Sequence, residues 1–109
     1  MATPRSAPLG MVVVRGRSML PGLRDGDRLL VRYSAAVRVG AVVVARLRDG
    51  TVAVKRVAGR LDTGWWLLSD NADEGLGDSR AYGAVPDDEV LAVAWCRVWP
   101  RPRALRRRV

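Results

Sequence analysis

Short valine-rich segments, each closed off by glycine, aspartate or proline, divide this chain and constrain its fold more than any other feature. Met11–Arg15, Asp27–Tyr33, Ala41–Arg48, Thr51–Ala58, Gly64–Ser69 and Val90–Trp99 read as strands. β-branched residues suit a pleated surface, and the punctuating residues suit turns. The sharpest local signal is Arg48-Asp49-Gly50-Thr51, where Asp-Gly between two apolar runs favours a two-residue hairpin. Counting outward from the pair Arg48 and Thr51 places Lys55 opposite Val44 and Val57 opposite Val42, provided no bulge intervenes. The expected fold is mainly β: short antiparallel strands coiled into a small barrel-like assembly, with little helix.

With 109 residues and 49% hydrophobic content, one compact domain is expected. The longest apolar runs, Leu9 to Val14 and Gly40 to Ala45, fall far short of the roughly 20 residues of a spanning helix, so no transmembrane anchor is expected. Met1 to Leu9 lacks the apolar region of a secretory signal, which points to the cytoplasm. The single cysteine, Cys96, and the absence of histidine argue against a disulfide or a metal centre, so neither metal nor cofactor is expected.

The net charge of +8 is uneven along the chain, since Arg97, Arg101, Arg103, Arg106, Arg107 and Arg108 lie in the last thirteen residues. Without those six arginines, 13 basic residues face 11 acidic ones, for a balance of +2. The reading is therefore a flexible N-terminus over 1–10, a folded domain over 11–100 and a disordered arginine-rich tail over 101–109. A near-neutral body gives no expectation of nucleic-acid binding, and the tail leaves room for peripheral membrane contact.

Without histidine, a catalytic serine needs another base. Of 19 basic residues 18 are arginine, and the lone lysine, Lys55, sits inside the apolar run Val52-Ala53-Val54-Lys55-Arg56-Val57. Arginine stays protonated in proteins, whereas a desolvated lysine can lose its proton and act as a base. On strand alternation Lys55 shares a face with Ala53 and Val57, and desolvation there should lower its pKa. The bland alternative is a surface lysine snorkelling from an edge strand. The candidate nucleophile is Ser18, in the turn-rich connection from Gly16 to Gly26, which reads as a shaped loop or one helical turn. A turn serine is ordinary by itself. In this setting the backbone N–H groups of Ser18 and Arg17 could stabilise an oxyanion.

The run Gly16-Arg17-Ser18-Met19-Leu20-Pro21-Gly22-Leu23-Arg24-Asp25-Gly26-Asp27 resembles the nucleophile box of signal peptidase I and LexA-type peptidases: Ser-Met, any residue, Pro, then Gly-Asp. Val54-Lys55-Arg56-Val57 resembles the base strand of the same clan. Ser69-Asp70-Asn71 followed by Asp78-Ser79-Arg80-Ala81-Tyr82-Gly83-Ala84-Val85-Pro86 is similar to the late signal-peptidase box. The resemblance implies a Ser18–Lys55 dyad, with Met19 and Pro21 supporting the loop and Asp78 and Arg80 forming an ion pair that holds the late segment. Asp27, Gly83, Trp65 and Trp66 read as scaffold. Arg28-Leu29-Leu30-Val31-Arg32-Tyr33, Trp65-Trp66 and Tyr82-Gly83-Ala84-Val85-Pro86 further resemble the nickel-type superoxide dismutase maturation proteases, which implies a pro-protein or leader-peptide substrate.

Three positions depart from the wider pattern. Gly16 stands where some signal peptidases carry a hydroxyl, Ser69 replaces a glycine, and Leu76 stands where some relatives place a serine against the lysine. Two other readings remain open on sequence. A LexA/UmuD-type self-cleaving regulator would carry a cleavage segment, and no Ala-Gly or Cys-Gly pair precedes Ser18. A non-catalytic basic nucleic-acid or membrane-binding module would lose function when Arg101 to Val109 are deleted, whereas a peptidase is expected to keep it.

Overall fold

A computed structural model of the chain describes residues 8–71, 73 and 77–105. Seven strands follow in order: β1 (Leu9–Val13), β2 (Arg28–Tyr33), β3 (Val42–Arg46), β4 (Val52–Leu61), β5 (Gly64–Leu68), β6 (Val90–Trp99) and β7 (Arg103–Ala104). One helical turn, α1 (Ser79–Tyr82), and a 3-10 turn at Asp87–Glu89 lie between β5 and β6. All pairings are antiparallel, in the order β1-β2-β6-β3-β4-β5, with β7 beside the C-terminal half of β6. This is the mainly β architecture expected from the sequence. Residues of β1 and of β4 line the same cleft although β2, β6 and β3 separate them in the sheet, so the sheet curls around on itself.

The unbroken apolar run of β3 has a physical reason. Val42 and Val44 belong to one buried cluster with Val14, Met19, Leu23, Leu29, Val31, Val54, Ala92 and Ala94, while Val43 and Ala45 belong to a second with Leu47, Val57, Leu67, Val85 and Val93. Both faces of the strand are therefore covered, and alternation disappears. Strand β4 likewise buries Val54 in the first cluster, with Lys55 and Val57 on its other face.

The hairpin register differs from the expectation by one residue. Lys55 pairs with Val43, not Val44, and Arg56 rather than Val57 pairs with Val42. The loop has three residues: Gly50 N–H donates to Leu47 O at 2.8 Å, Leu47 N–H donates to Thr51 O at 2.8 Å, and Gly50 has φ of 90°. Asp49 keeps a negative φ and accepts the Thr51 N–H at 2.9 Å, so the turn is a type I turn closed by a glycine bulge. A two-residue hairpin of the mirror-image type would need positive φ at both Asp49 and Gly50.

Both proposed domain limits meet ordered structure. Strand β1 starts at Leu9, inside the segment read as flexible, and Leu9 pairs with Arg32. At the other end, Cys96 pairs with Ala104 and Arg97 with Arg103, so residues 103 and 104, assigned to a disordered tail, form a strand. Arg106 to Arg108 and Leu76 lie outside the described residues.

Candidate active site

Ser18 sits in the connection between β1 and β2, and three anchors shape that connection. Met19, 1% exposed, and Leu23 enter the first core cluster and pin the segment from beneath. Gly16 takes φ of 80°, and its N–H donates to Asp25 Oδ1 at 2.8 Å. Asp27, buried, accepts the Arg24 N–H at 2.9 Å and an Arg97 guanidinium N–H at 3.4 Å. Pro21 is exposed at the far side of the turn. Between these anchors the Ser18 side is only half-buried.

The segment after β5 clamps this loop. Asn71 N–H donates to Ser18 O at 2.9 Å, and Asn71 Nδ2 donates to Arg17 O at 3.0 Å. In a trans peptide the N–H points opposite the carbonyl. Because the Arg17 carbonyl faces Asn71, the Ser18 N–H is turned away from it.

Lys55 is buried, 3% exposed, and its Nζ donates to Ser69 Oγ at 3.0 Å. Ser69 is 8% exposed, and its own N–H donates to Asp78 Oδ2 at 2.8 Å. Asp78, fully buried, also accepts the Arg80 N–H at 3.0 Å as N-cap of α1, and two Arg80 guanidinium N–H bonds at 3.2 and 3.0 Å. Burial pushes the Asp78 carboxyl upward. The bonds from the Arg80 side chain and from the Ser69 and Arg80 N–H groups outweigh that push, so its pKa lies below the ordinary 3.8. Ser79 Oγ accepts the Leu67 N–H at 2.9 Å, which ties α1 to β5. Next to Lys55, Arg56 holds Asp70 through Nε at 3.1 Å and Nη2 at 2.7 Å, and donates to Gly40 O at 3.0 Å.

Ser18 and Lys55 line the same cleft of about 280 Å³, walled by Val12–Arg15 of the β1 end, Met19, Thr51–Val54, Asp49, Gly77 and Tyr82. A second hollow over the Ser18 loop is lined by Arg15, Gly16, Arg17, Ser18, Lys55, Asp73 and Gly77. The structure therefore brings together Ser18, Arg17, Met19 and Lys55, with Asp78 behind Ser69 and Arg80 behind Asp78. Sequence reasoning treated Ser69 only as a departure, yet it is the hydroxyl that meets Lys55. Asn71 and the Arg56–Asp70 pair were likewise not assigned a role, although Ser69-Asp70-Asn71 already stood out as a motif. Among the described residues no group of three histidine, cysteine or acidic side chains is arranged to hold a metal. No helix among them is long and apolar enough to cross a membrane.

The C-terminal segment also reaches this loop. Arg103 Nη2 donates to Gly22 O at 2.7 Å, Arg97 Nε donates to Arg101 O at 2.9 Å, Leu105 N–H donates to Trp95 O at 2.9 Å, and the Leu105 side chain packs on the first cluster. Deleting Arg101–Val109 is thus not neutral. It should lower stability by about 2 kcal/mol through lost apolar burial and hydrogen bonds, measurable by urea denaturation.

A mainly β domain that offers a loop serine and a buried lysine to one cleft has the form of a histidine-free serine peptidase. The profile of the Peptidase S24-like family matches residues 2–83, about three quarters of the chain, and the chain belongs to that family. It is 50% identical over 64 residues to a LexA repressor of Thiobacillus denitrificans, covering 58% of this chain and 31% of that protein. It is 44% identical over 48 residues to a LexA repressor of an Exiguobacterium species, covering 43% of this chain and 23% of that protein. The matches thus span about a third or less of these relatives. Neither relative is a nickel-type superoxide dismutase maturation protease, so the finer resemblance drawn from the sequence gains no support from them.

Proposed function

We propose that this chain is a serine endopeptidase domain in which Ser18 attacks a peptide carbonyl and Lys55 serves as general base and then general acid. The observation that carries this reading is the shared cleft, which half-buried Ser18 and buried Lys55 both line. The reading requires Nζ to act as the free amine, the form that can accept a proton. In the first step neutral Nζ takes the Ser18 Oγ proton as Oγ bonds to the carbonyl carbon. The C–N bond then breaks, the leaving amine takes that proton back, and an acyl-Ser18 ester remains. Lys55 next removes a proton from water as its oxygen bonds to the acyl carbon, and passes that proton to Ser18 Oγ as the ester C–O bond breaks, which restores the enzyme. The N–H groups of Ser18 and Arg17 are the proposed oxyanion donors, without a side-chain hydroxyl at Gly16.

The relatives named LexA repressor favour the reading in which the cut segment belongs to the same polypeptide, as in a self-processing regulator. The trans reading, removal of a leader from a pro-protein such as that of nickel superoxide dismutase, rests on the late segment. Its Ser69-Asp70-Asn71 and Asp78-Ser79-Arg80 motifs fold against Lys55 and the Ser18 loop. Intact-mass analysis of the protein incubated alone, and with a panel of leader-bearing pro-proteins, separates them. A self-cleaved product absent from Ser18→Ala supports the regulator. Cleavage of a pro-protein in trans supports the maturation enzyme. Cleavage that survives in Ser18→Ala overturns both.

In either reading Ser69 positions Lys55. Ser69→Ala should reduce kcat by roughly 10- to 100-fold with KM little changed, because a base misplaced by about 1 Å loses that much. Ser69→Thr, which restores the hydroxyl, should recover part of the loss. Equal loss in both variants would mean that the hydroxyl has no positioning role.

A further inference from the structure

The outer face of β1, β2 and β6 has a composition that the peptidase reading does not use. Leu9, Met11 and Val13 of β1 point away from the core, which takes Val12 and Val14 instead. They pair in register with Arg32, Leu30 and Arg28 of β2, whose neighbours Leu29 and Val31 are fully buried, so the two rows share one surface. On β6, Trp95 falls at the register shift opposite Leu30 and Val31, and Trp99 pairs with Arg28. The Arg32 guanidinium lies 5.6 Å from the Trp95 ring centroid and that of Arg28 lies 4.9 Å from the Trp99 ring. Met11 is 60% exposed, Trp99 52% and Trp95 44%.

We propose that this face docks the protein on an anionic lipid surface, with Trp95, Trp99, Met11 and Leu9 entering the headgroup region and Arg28 and Arg32 meeting lipid phosphates. Charge decides the kind of partner. None of the three strands contains an acidic residue. Among the described residues neither Arg28 nor Arg32 has a carboxylate partner. Exposed Arg101 and Arg103, beside β6, extend the positive field. Tryptophan favours the membrane–water interface, and clustered arginines are drawn to acidic headgroups. A second copy fits poorly, because a symmetric contact through this face would press arginine on arginine. Single-stranded nucleic acid fits less well than lipid, since aliphatic Leu9, Met11 and Val13 offer no stacking surface and both indoles already carry a guanidinium. The docking face is independent of Ser18 chemistry. Its position has a consequence all the same, because β1 runs from it directly into the catalytic loop, which would hold the cleft close to the bilayer.

The test is co-sedimentation with phosphatidylcholine vesicles containing about one third phosphatidylglycerol, with brominated lipid as a tryptophan quencher. Wild type should bind them at least about tenfold more tightly than pure phosphatidylcholine. Its emission should be quenched, and the quenched share should vanish in Trp95→Ser/Trp99→Ser, which leaves Trp65 and Trp66. Arg28→Gln/Arg32→Gln, with unchanged circular dichroism, should weaken binding by about tenfold or more. A variant lacking Arg106–Val109 should still be quenched, which separates the face from the tail. The proposal is overturned if no vesicle binding occurs, or if binding depends on the tail and not on these four residues. It is equally overturned if the face variants instead abolish binding to a single-stranded oligonucleotide or self-association in sedimentation.

Discussion

Lys55→Met leaves a folded protein with peptide cleavage reduced by roughly 10³- to 10⁴-fold, and Ser18→Ala has an effect of the same size. Methionine matches the length and apolar character of the lysine stem, so it fits the site where Lys55 is 3% exposed and keeps the β4 pairing with Val43. What disappears is the amine that would take the Ser18 proton. Combining the two substitutions should cost little more than either alone, because the two groups act as a unit. Additive losses would place the residues in separate roles. The same account fixes a pH dependence: the base must be neutral, so kcat/KM rises with pH until Lys55 is deprotonated and levels off beyond. A profile that falls as pH rises would assign the base to some other group.

The second large effect is on stability. Asp78→Ala removes the acceptor of four hydrogen bonds, one of them from the N–H of buried Ser69. The Arg80 guanidinium can turn to water, since its side chain is 46% exposed, so the loss falls below that of a fully enclosed ion pair. A cost of about 2–4 kcal/mol is expected, or a fall of about 10–20 °C in Tm. Cleavage should fall as well under conditions where the variant is folded, because Ser69, the partner of Lys55, hangs from Asp78. The wild type shows the linked pH effect. The Asp78 pKa is lowered by folding, so its contribution is present above the unfolded value near 3.8 and is lost as pH falls through the folded one. Acid unfolding below about pH 4 should therefore be shallower in Asp78→Asn than in wild type.

Strand positions were legible because valine runs and turn residues report burial and chain reversal within a few residues. The boundary of β6, Val90–Trp99, coincides with the run read from sequence. Register was less legible. Asp-Gly is compatible with both a two- and a three-residue loop, and the choice lies in the φ of Asp49, which its side-chain bond to Thr51 N–H holds negative. One residue of difference moves the partner of Lys55 from a first-cluster valine to Val43 of the second.

Lys55 stands out in the sequence as one lysine among arginines, and Ser18 as the serine of a glycine-bracketed turn. Ser69 gave no such signal. Its meeting with Lys55 spans 14 residues and depends on the register shift between Val57 and Gly59 that sets how β5 lies on β4. Residues 101–105 show the same limit. A charge run reads as solvated, while Leu105 within it packs on the first cluster and Arg103 donates a hydrogen bond to the Gly22 carbonyl.

The most direct test of the central claim is a mass measurement on the acyl intermediate, made by mixing the protein with activated esters of short peptides and mapping the adduct after digestion. The account predicts a stoichiometric adduct on Ser18, formed by wild type and lost in Lys55→Met. An adduct on another residue, or one on Ser18 that forms equally fast without Lys55, would contradict it.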